Sequence, residues 1–465
     1  MTEATMTDTT MTETTTTAAQ AAATGTAASA QHPDLIGKGR LITYAFQQGD
    51  LDSLRQQLLA RAQQDEGDTN AALDLSMVLL LQGQHDTAMA LQRHAVQTQP
   101  LYHMPADRQP ATLRLLVLVA CGDFLANTPF EFLVADSSIA LDILYVGEGI
   151  PAPAQLPEHD VLLVAIGESA ANRPLLDTLQ APLAQWHRPV VNRPEHVLKT
   201  SRDGLSAALQ GAEGIIVPAI RRVTRTELDA LASGQARPAD LLPGVDYPVL
   251  VRPLDSHAGH GLEKIDQPAG LAAYLAAHDG ASGATASVAA GPADGLAEAQ
   301  GETAVGTAAA APAATFYLSQ FIDYRSADER YRKYRVVMVA GRPFLGHLGI
   351  SPRWMVHYLN ADMLENAANR AEEGAQMQGF DSGFAARHAA AFAQIHQRVG
   401  LDYFVMDCAE TPAGQLLIFE GDTCGIVHAM DPEDLFPYKA PNMRRIFTAF
   451  QEMLFKSAGV GARGQ

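Results

Sequence analysis

The chain has 465 residues, enough for about two to four domains with cores of their own, and its 47% hydrophobic and 6% aromatic content is that of an alanine-rich globular α/β protein. The longest apolar runs, Leu115–Ala120 and Val161–Ile166, are too short to cross a bilayer. A net charge of −19 with no basic stripe argues against nucleic acid as the main partner, and three scattered cysteines (Cys121, Cys408, Cys424) form no disulfide framework or CxxC metal site, so a reducing cytoplasm is expected.

Residues 1–33 are Thr/Ala-rich with neither a basic n-region nor an apolar h-region, which reads as a disordered polar tail rather than a signal peptide, with Met6 or Met11 as alternative starts. From 34 to 108 apolar residues recur at helical spacing in LITYAFQQGDLDSLRQQLLARA and ALDLSMVLLLQGQHDTAMALQRHAVQTQP, so an all-helical module is predicted. With Pro100 as the closing proline, Leu75, Gly83, Ala88 and Ala95 fall on positions that resemble those of a tetratricopeptide unit; Gln92 departs, because a large apolar residue is usual there. The module reads as a structural cap or as a docking surface for a protein partner.

At Thr112 the period changes. LRLLVLVA, LDILYVG and HDVLLVAIGES are buried-strand patterns separated by helical ones, which predicts a small parallel, doubly wound sheet over 110–198. Gly122, after the first strand, either admits a ligand or makes the turn. A third α/β region spans 199–458, interrupted by an Ala/Gly-rich stretch at 279–314 that cannot bury enough side chain to order itself.

Three segments of that region carry residues suited to chemistry. In VLVRPLDSHAGHGLEKI a strand delivers Arg252 to the small-residue loop Ser256, His257, Ala258, Gly259, His260 and Gly261, which reads as a phosphate cradle or as a plain hairpin turn. In DYRSADERYRKYRVVMVAGRPFLGHLGIS alternation sets Arg335 on an apolar face with Val337 and Val339, so it needs a buried anion such as a transferred phosphoryl group; Arg330, Arg332 and Lys333 read as solvated. Beyond it Trp354, His357, Tyr358 and Asn360 suggest a substrate pocket, with a structural role for His357 the alternative. In DYFVMDCAETPAGQLLIFEGDTCG a tight turn centred on Ala413 and Gly414 sets Asp407 opposite Glu420, with Asp422 on the Glu420 face. Three acids among apolar residues call for a cation, and oxygen-only donors suit Mg²⁺ brought by nucleotide phosphates; a solvated strand end is the alternative.

In this order the segments resemble the ATP-grasp superfamily from about Thr112 to Phe455, the most specific element being the D-(x12)-E-x-D hairpin. The resemblance implies an α+β ATP-grasp body behind the small parallel α/β domain, with ATP between two subdomains. It implies that Arg252, Ser256, His257, Gly259 and Gly261 close on phosphates, that Gln320, in the hinge-like strand FYLSQFI, lies on the ribose or adenine side, that Asp407, Glu420 and Asp422 hold Mg²⁺, and that Arg335 and Arg252 stabilise transferring charge. Gly204 stands where a nucleotide-facing lysine is usual, with Lys199 and Arg202 nearby; Arg252 replaces a usual lysine and Asp422 a usual asparagine. The implied activity is a carboxylate–amine ligation through an acylphosphate on an amino acid, peptide or protein. An interaction protein with a degenerate nucleotide site, or a small-molecule kinase, are the alternatives.

Overall fold

The computed structural model describes residues 32–254, 256, 259–279, 315–357 and 361–460, so the expected tail before Pro33 and nearly all of the 279–314 stretch lie outside the described residues. The chain divides into two units, Met1–Asp34 and Leu35–Gln465, and every described helix and strand belongs to the second.

Four helices come first, as the periodicity predicts: α1 (Lys38–Phe46), α2 (Leu51–Gln64), α3 (Thr69–Leu81) and α4 (His85–Thr98). Asp50 and Asp68 start α2 and α3 by accepting from the amides of Ser53 and Ala71, which would otherwise have no helical partner. Helix α3 is buried from Ala71 to Leu80 and forms the centre of this layer. Gln92 is buried because its amide matches both groups of one peptide: Nε2 donates to the Gly122 carbonyl at 3.1 Å and Oε1 accepts from the Gly122 amide at 2.8 Å. A polar residue in a position expected to be apolar thus ties α4 to the loop after the first parallel strand.

The next layer is a sheet in the order β1-β3-β2-β4-β5, with β1 (Leu101–Met104), β2 (Leu113–Val119), β3 (Ile139–Tyr145), β4 (Val161–Val164) and β5 (Val190–Val191). Strands β2 to β5 are parallel, while β1 runs antiparallel against β3, Leu101 opposite Leu144. Strand β1 falls inside the stretch predicted to be all-helical; four residues are too few for a periodic signal, and what makes them a strand is the free edge of β3. Helices α5 (Phe130–Leu133) and α6 (Arg173–Ala184) lie between strands, where helical stretches were predicted.

The rest builds two further sheets. Strand β6 (Ile215–Ile216) leads to a four-stranded sheet in the order β7-β10-β8-β9, made of β7 (Ile220–Thr224), β8 (Val249–Pro253), β9 (Glu263–Ile265) and β10 (Thr315–Gln320). It has a core of its own, in which Val223, Val251, Leu318 and Phe316 meet Leu228, Leu271 and Tyr274 from the flanking helices. The chain then returns to β11 (Tyr331–Val339), β12 (Arg342–Ser351), β13 (Tyr403–Glu410) and β14 (Leu416–Asp422), a sheet in the order β12-β11-β13-β14-β6. Buried residues of this sheet and of the parallel sheet form one contiguous core, covered by α7 (Arg202–Leu209), α8 (Ala389–Val399) and α9 (Lys439–Ser457). The two crossings between the sheets run side by side, joined by the Gln320 amide donating to the Ala219 carbonyl at 2.8 Å.

Candidate active site

The acid hairpin forms with Asp407 opposite Glu420, as predicted, though by a different route. The turn is centred on Ala413: the Thr411 amide donates to the Gln415 carbonyl, Glu410 stands opposite Leu416, and Gly414 adopts a φ of 76°. That turn alone would slide the acids one position out of register. A bulge between Asp407 and Cys408, with Phe419 as the extra residue, restores the pairing and turns Glu420 toward Asp407.

Asp407 is 3% exposed and binds two cations of β11: Lys333 Nζ lies 2.8 Å from Oδ2, and Arg335 Nε lies 2.9 Å from Oδ1. Burial alone would raise this carboxyl; Arg335, then Lys333, hold it well below the usual range instead. Arg335 therefore does have a buried anion, which is the protein's own Asp407. Lys333, predicted to be solvated, is a full member of the cluster. Its signal was the two-residue strand period that puts 333 and 335 on one face. Arg332 and Arg330 are not free in solvent either: Arg332 pairs with Asp328 and Glu372, and Arg330 donates to Asn369.

Glu420 is bound by Arg202 from the first turn of α7, and Arg252 Nη1 from β8 stands 3.9 Å away, so both sheets contribute to this acid. Burial would lift Glu420, but Arg202 and Arg252 hold it low. Burial lowers Arg252 to about 10, with the Arg202 charge adding to the shift. Two guanidiniums that share one carboxylate are a repulsive arrangement that an incoming oxyanion would relieve. Asp422 opens to solvent on one side, accepts from the Cys424 amide at 2.6 Å, and is raised to about 6 by burial, with Glu420 adding to the rise and Arg335 opposing it.

In this structure two of the acids that the resemblance assigns to Mg²⁺ are engaged by the protein's own cations. Asp407 is held by Lys333 and Arg335 and Glu420 by Arg202, and among the described residues no three acid, histidine or cysteine side chains are grouped to hold an ion. Asp407 and Glu420 thus pair with four cations, Arg202, Arg252, Lys333 and Arg335.

The loop after β8 is braced at both ends. Arg252 Nε donates to Ser256 Oγ at 3.0 Å and a second guanidinium nitrogen to the Ser256 carbonyl, while the Tyr274 hydroxyl donates to the Gly261 carbonyl at 2.8 Å. Gly259 and Gly261 have φ of 78° and 62°, and a Cβ at 261 would meet the Pro253 ring at 2.7 Å, so glycine is required there. A Cβ at Gly259 would stand 3.5 Å from Met355 Sδ, which brings the loop tip up to the segment after β12. His257 lies outside the described residues, as do Tyr358 and Asn360. His357 is described; burial, with the charges of Lys333 and Arg335 adding to the shift, lowers it to about 4, so its ring is neutral.

Two expected nucleotide contacts are otherwise engaged. Lys199 Nζ donates to the Arg398 and Val399 carbonyls at 3.1 and 3.2 Å, which satisfies the C-terminal end of α8. The Gln320 side-chain carbonyl faces the Ala219 amide at 3.5 Å. Gly204 has a packing reason: a Cβ there would meet Ser201 Oγ at 2.7 Å and the Lys199 carbonyl at 3.0 Å, and Ser201 Oγ is the cap that accepts from the Gly204 amide. Burial pushes the Cys408 and Cys424 thiols far up, so neither is a thiolate.

No family model and no curated protein matches this chain. Solved structures similar to it include the VanG D-Ala:D-Ser ligase of Enterococcus faecalis (13% identity, 75% of this chain and 99% of that one, TM-score 0.40). A RimK domain ATP-grasp protein of Sphaerobacter thermophilus is 18% identical over 74% of this chain and 98% of its own, with a TM-score of 0.38. The D-alanine–D-alanine ligase of Bacillus anthracis, solved with ATP, is 12% identical over 76% of this chain and 100% of its own, with a TM-score of 0.39. Each of these similarities spans about three quarters of this chain.

Proposed function

We propose that the protein is an ATP-dependent carboxylate–amine ligase whose nucleotide phosphates lie among Arg202, Arg252, Lys333 and Arg335. The observation that carries this reading is the convergence of these four cations, drawn from α7, β8 and β11, on Asp407 and Glu420. Within the cluster cations outnumber acids, counting Asp422, and two arginines share Glu420. A polyphosphate satisfies such a group better than the carboxylates do, since each phosphate presents several anionic oxygens. The Gly259–Gly261 loop, reaching toward Met355, would close over it and exclude water.

The chemistry has two steps. A substrate carboxylate oxygen attacks the γ-phosphorus and ADP leaves; an amine then attacks the acyl carbon, and phosphate leaves with that carboxylate oxygen. The chain's part is to orient the phosphates and offset the spread of negative charge, with Arg335 and Lys333 moving from Asp407 toward the transferring group. His357, held neutral by burial and by these cations, would face the acceptor. Magnesium enters only as the counter-ion that nucleotide phosphates carry, and no step runs through it. The acceptor is an amino acid, a peptide or a protein, the last docking on the helical layer α1–α4.

A second reading is favoured by Lys199 and Gly204: with the lysine capping α8 and glycine at 204, the site binds nucleotide without turnover. Incubating the protein with ATP, Mg²⁺ and pools of amino acids, short peptides and cell extract separates the two. Ligation predicts ADP release that depends on an acceptor and is lost in Arg335→Met; saturable ATP binding with no ADP from any pool supports the second.

A further inference from the structure

A separate cavity of about 60 Å³ lies between the helical layer and the carboxyl ends of β2 and β3. Its walls are mostly apolar, with Leu35, Ile42, Leu73 and Met77 on one side and Val119 and Tyr145 on the other. Open α/β sheets bind ligands at the carboxyl ends of their strands.

Two carboxylates of this cavity are built into place. Glu131 Oε2 accepts from the Gly39 amide at 2.7 Å, which caps the start of α1, and Asp74 accepts from the Ile36 and Gly37 amides at 2.8 and 3.1 Å. The close approach needs the two glycines: a Cβ at Gly37 would meet Glu131 Oε2 at 2.7 Å, and one at Gly39 would meet the Glu131 Cβ at 3.0 Å. Between them half-buried Lys38 lines the space, its ammonium 6.0 Å from the centre of the Tyr145 ring. Thr128, 1% exposed, lines the same space, and its hydroxyl has no hydrogen-bond partner. A buried hydroxyl left without a partner is costly unless something fills the cavity.

We propose that this cavity is a binding site for a small zwitterionic amino acid with a short aliphatic side chain. Its carboxylate accepts from Lys38 Nζ and the Thr128 hydroxyl, its ammonium faces Glu131, and its side chain lies against Ile42, Leu73 and Met77. A zwitterion matches a pocket that offers one cation and an opposing carboxylate, where a plain anion would meet Glu131 and Asp74 and a plain amine would meet Lys38. On the scale of roughly 10–15 Å³ per water the cavity has room for about four to six waters, which is the bulk of such a molecule. The loop 122–127 that follows β2 supplies Phe124 and Asn127 to the cavity. Its other side touches Gly167, whose missing Cβ makes room for Cys424, two residues beyond Asp422. Occupancy therefore bears on a segment that abuts the acid hairpin.

Titration calorimetry and ligand-observed NMR on the full chain, with L- and D-2-aminobutyrate as probes and butyrate and propylamine as analogues lacking one charge, test this. Saturable binding of at least one 2-aminobutyrate enantiomer is expected, about tenfold or more weaker for each analogue and for Lys38→Met. The Ile42→Phe variant fills the cavity without touching a polar partner and keeps the test valid if Lys38→Met misfolds; it should abolish binding while circular dichroism stays native. Absence of saturable binding to the folded wild type means a cavity holding water only and overturns the proposal. So does binding that survives Ile42→Phe, because the site is then elsewhere.

Discussion

Lys333 Nζ lies 2.8 Å from Asp407 Oδ2 in the interior of the cluster, a side chain of β11 meeting one of β13. With Arg335 on the other carboxylate oxygen, Asp407 is the only acid in ion-pair contact with either cation among the described residues. Removing it leaves two half-buried cations facing each other. Asp407→Asn should therefore lower unfolding free energy by roughly 2–4 kcal/mol in urea denaturation. In a Lys333→Met background the same change should cost clearly less, and equal costs in the two backgrounds would deny the coupling.

The acids of the cluster respond to pH in opposite senses. Asp407 and Glu420 are held below their unfolded values, so their contribution is fully present above about pH 4 and is lost as pH falls through their folded values. Asp422 is raised to about 6, so stability falls as pH rises from about 4 to about 6 and stays lower above that. Asp422→Asn, which keeps the oxygen that accepts from Cys424, should thus gain stability relative to wild type as pH climbs from 4 to 7. Solvent on one side limits the gain to below about 1 kcal/mol. A stability difference between the two proteins that stays flat from pH 4 to 7 would rule this out.

At Gly204 two effects compete. An alanine in a helix usually gains up to about 1 kcal/mol over glycine. Here its Cβ would press on Ser201 Oγ and the Lys199 carbonyl, and the Ser201 cap is worth about 1 kcal/mol. Because the nearer of the two contacts is the cap itself, Gly204→Ala should lower the melting temperature by a few degrees rather than raise it.

Lys199→Met should cost about 1 kcal/mol of stability by uncovering the carbonyls of Arg398 and Val399, and should leave ATP affinity within twofold of wild type. A large loss of affinity with unchanged stability would return Lys199 to the nucleotide site.

Much of this was legible from periodicity and spacing. The helices before Pro100 and the parallel strands from Leu113 follow from apolar spacing. What was not legible depends on contacts distant in sequence. Strand β1 exists because β3 offers an edge; Lys199 leaves the site because α8, two hundred residues on, ends beside it. The acid pairing expected from a turn centred on Ala413 and Gly414 arises instead from a turn on Ala413 together with a bulge at Phe419. Lys333 was passed over because a charged residue near a strand end is usually solvated; only the carboxylate on the neighbouring strand shows otherwise.

A polyphosphate site framed by Arg202, Arg252, Lys333 and Arg335 is tested by titration calorimetry of ATP into the wild type and into Lys333→Met, each checked for native circular dichroism. Saturable binding in the wild type that weakens by about tenfold or more in the variant is the predicted result. No binding to folded wild type, or equal affinity in the two proteins, would contradict it.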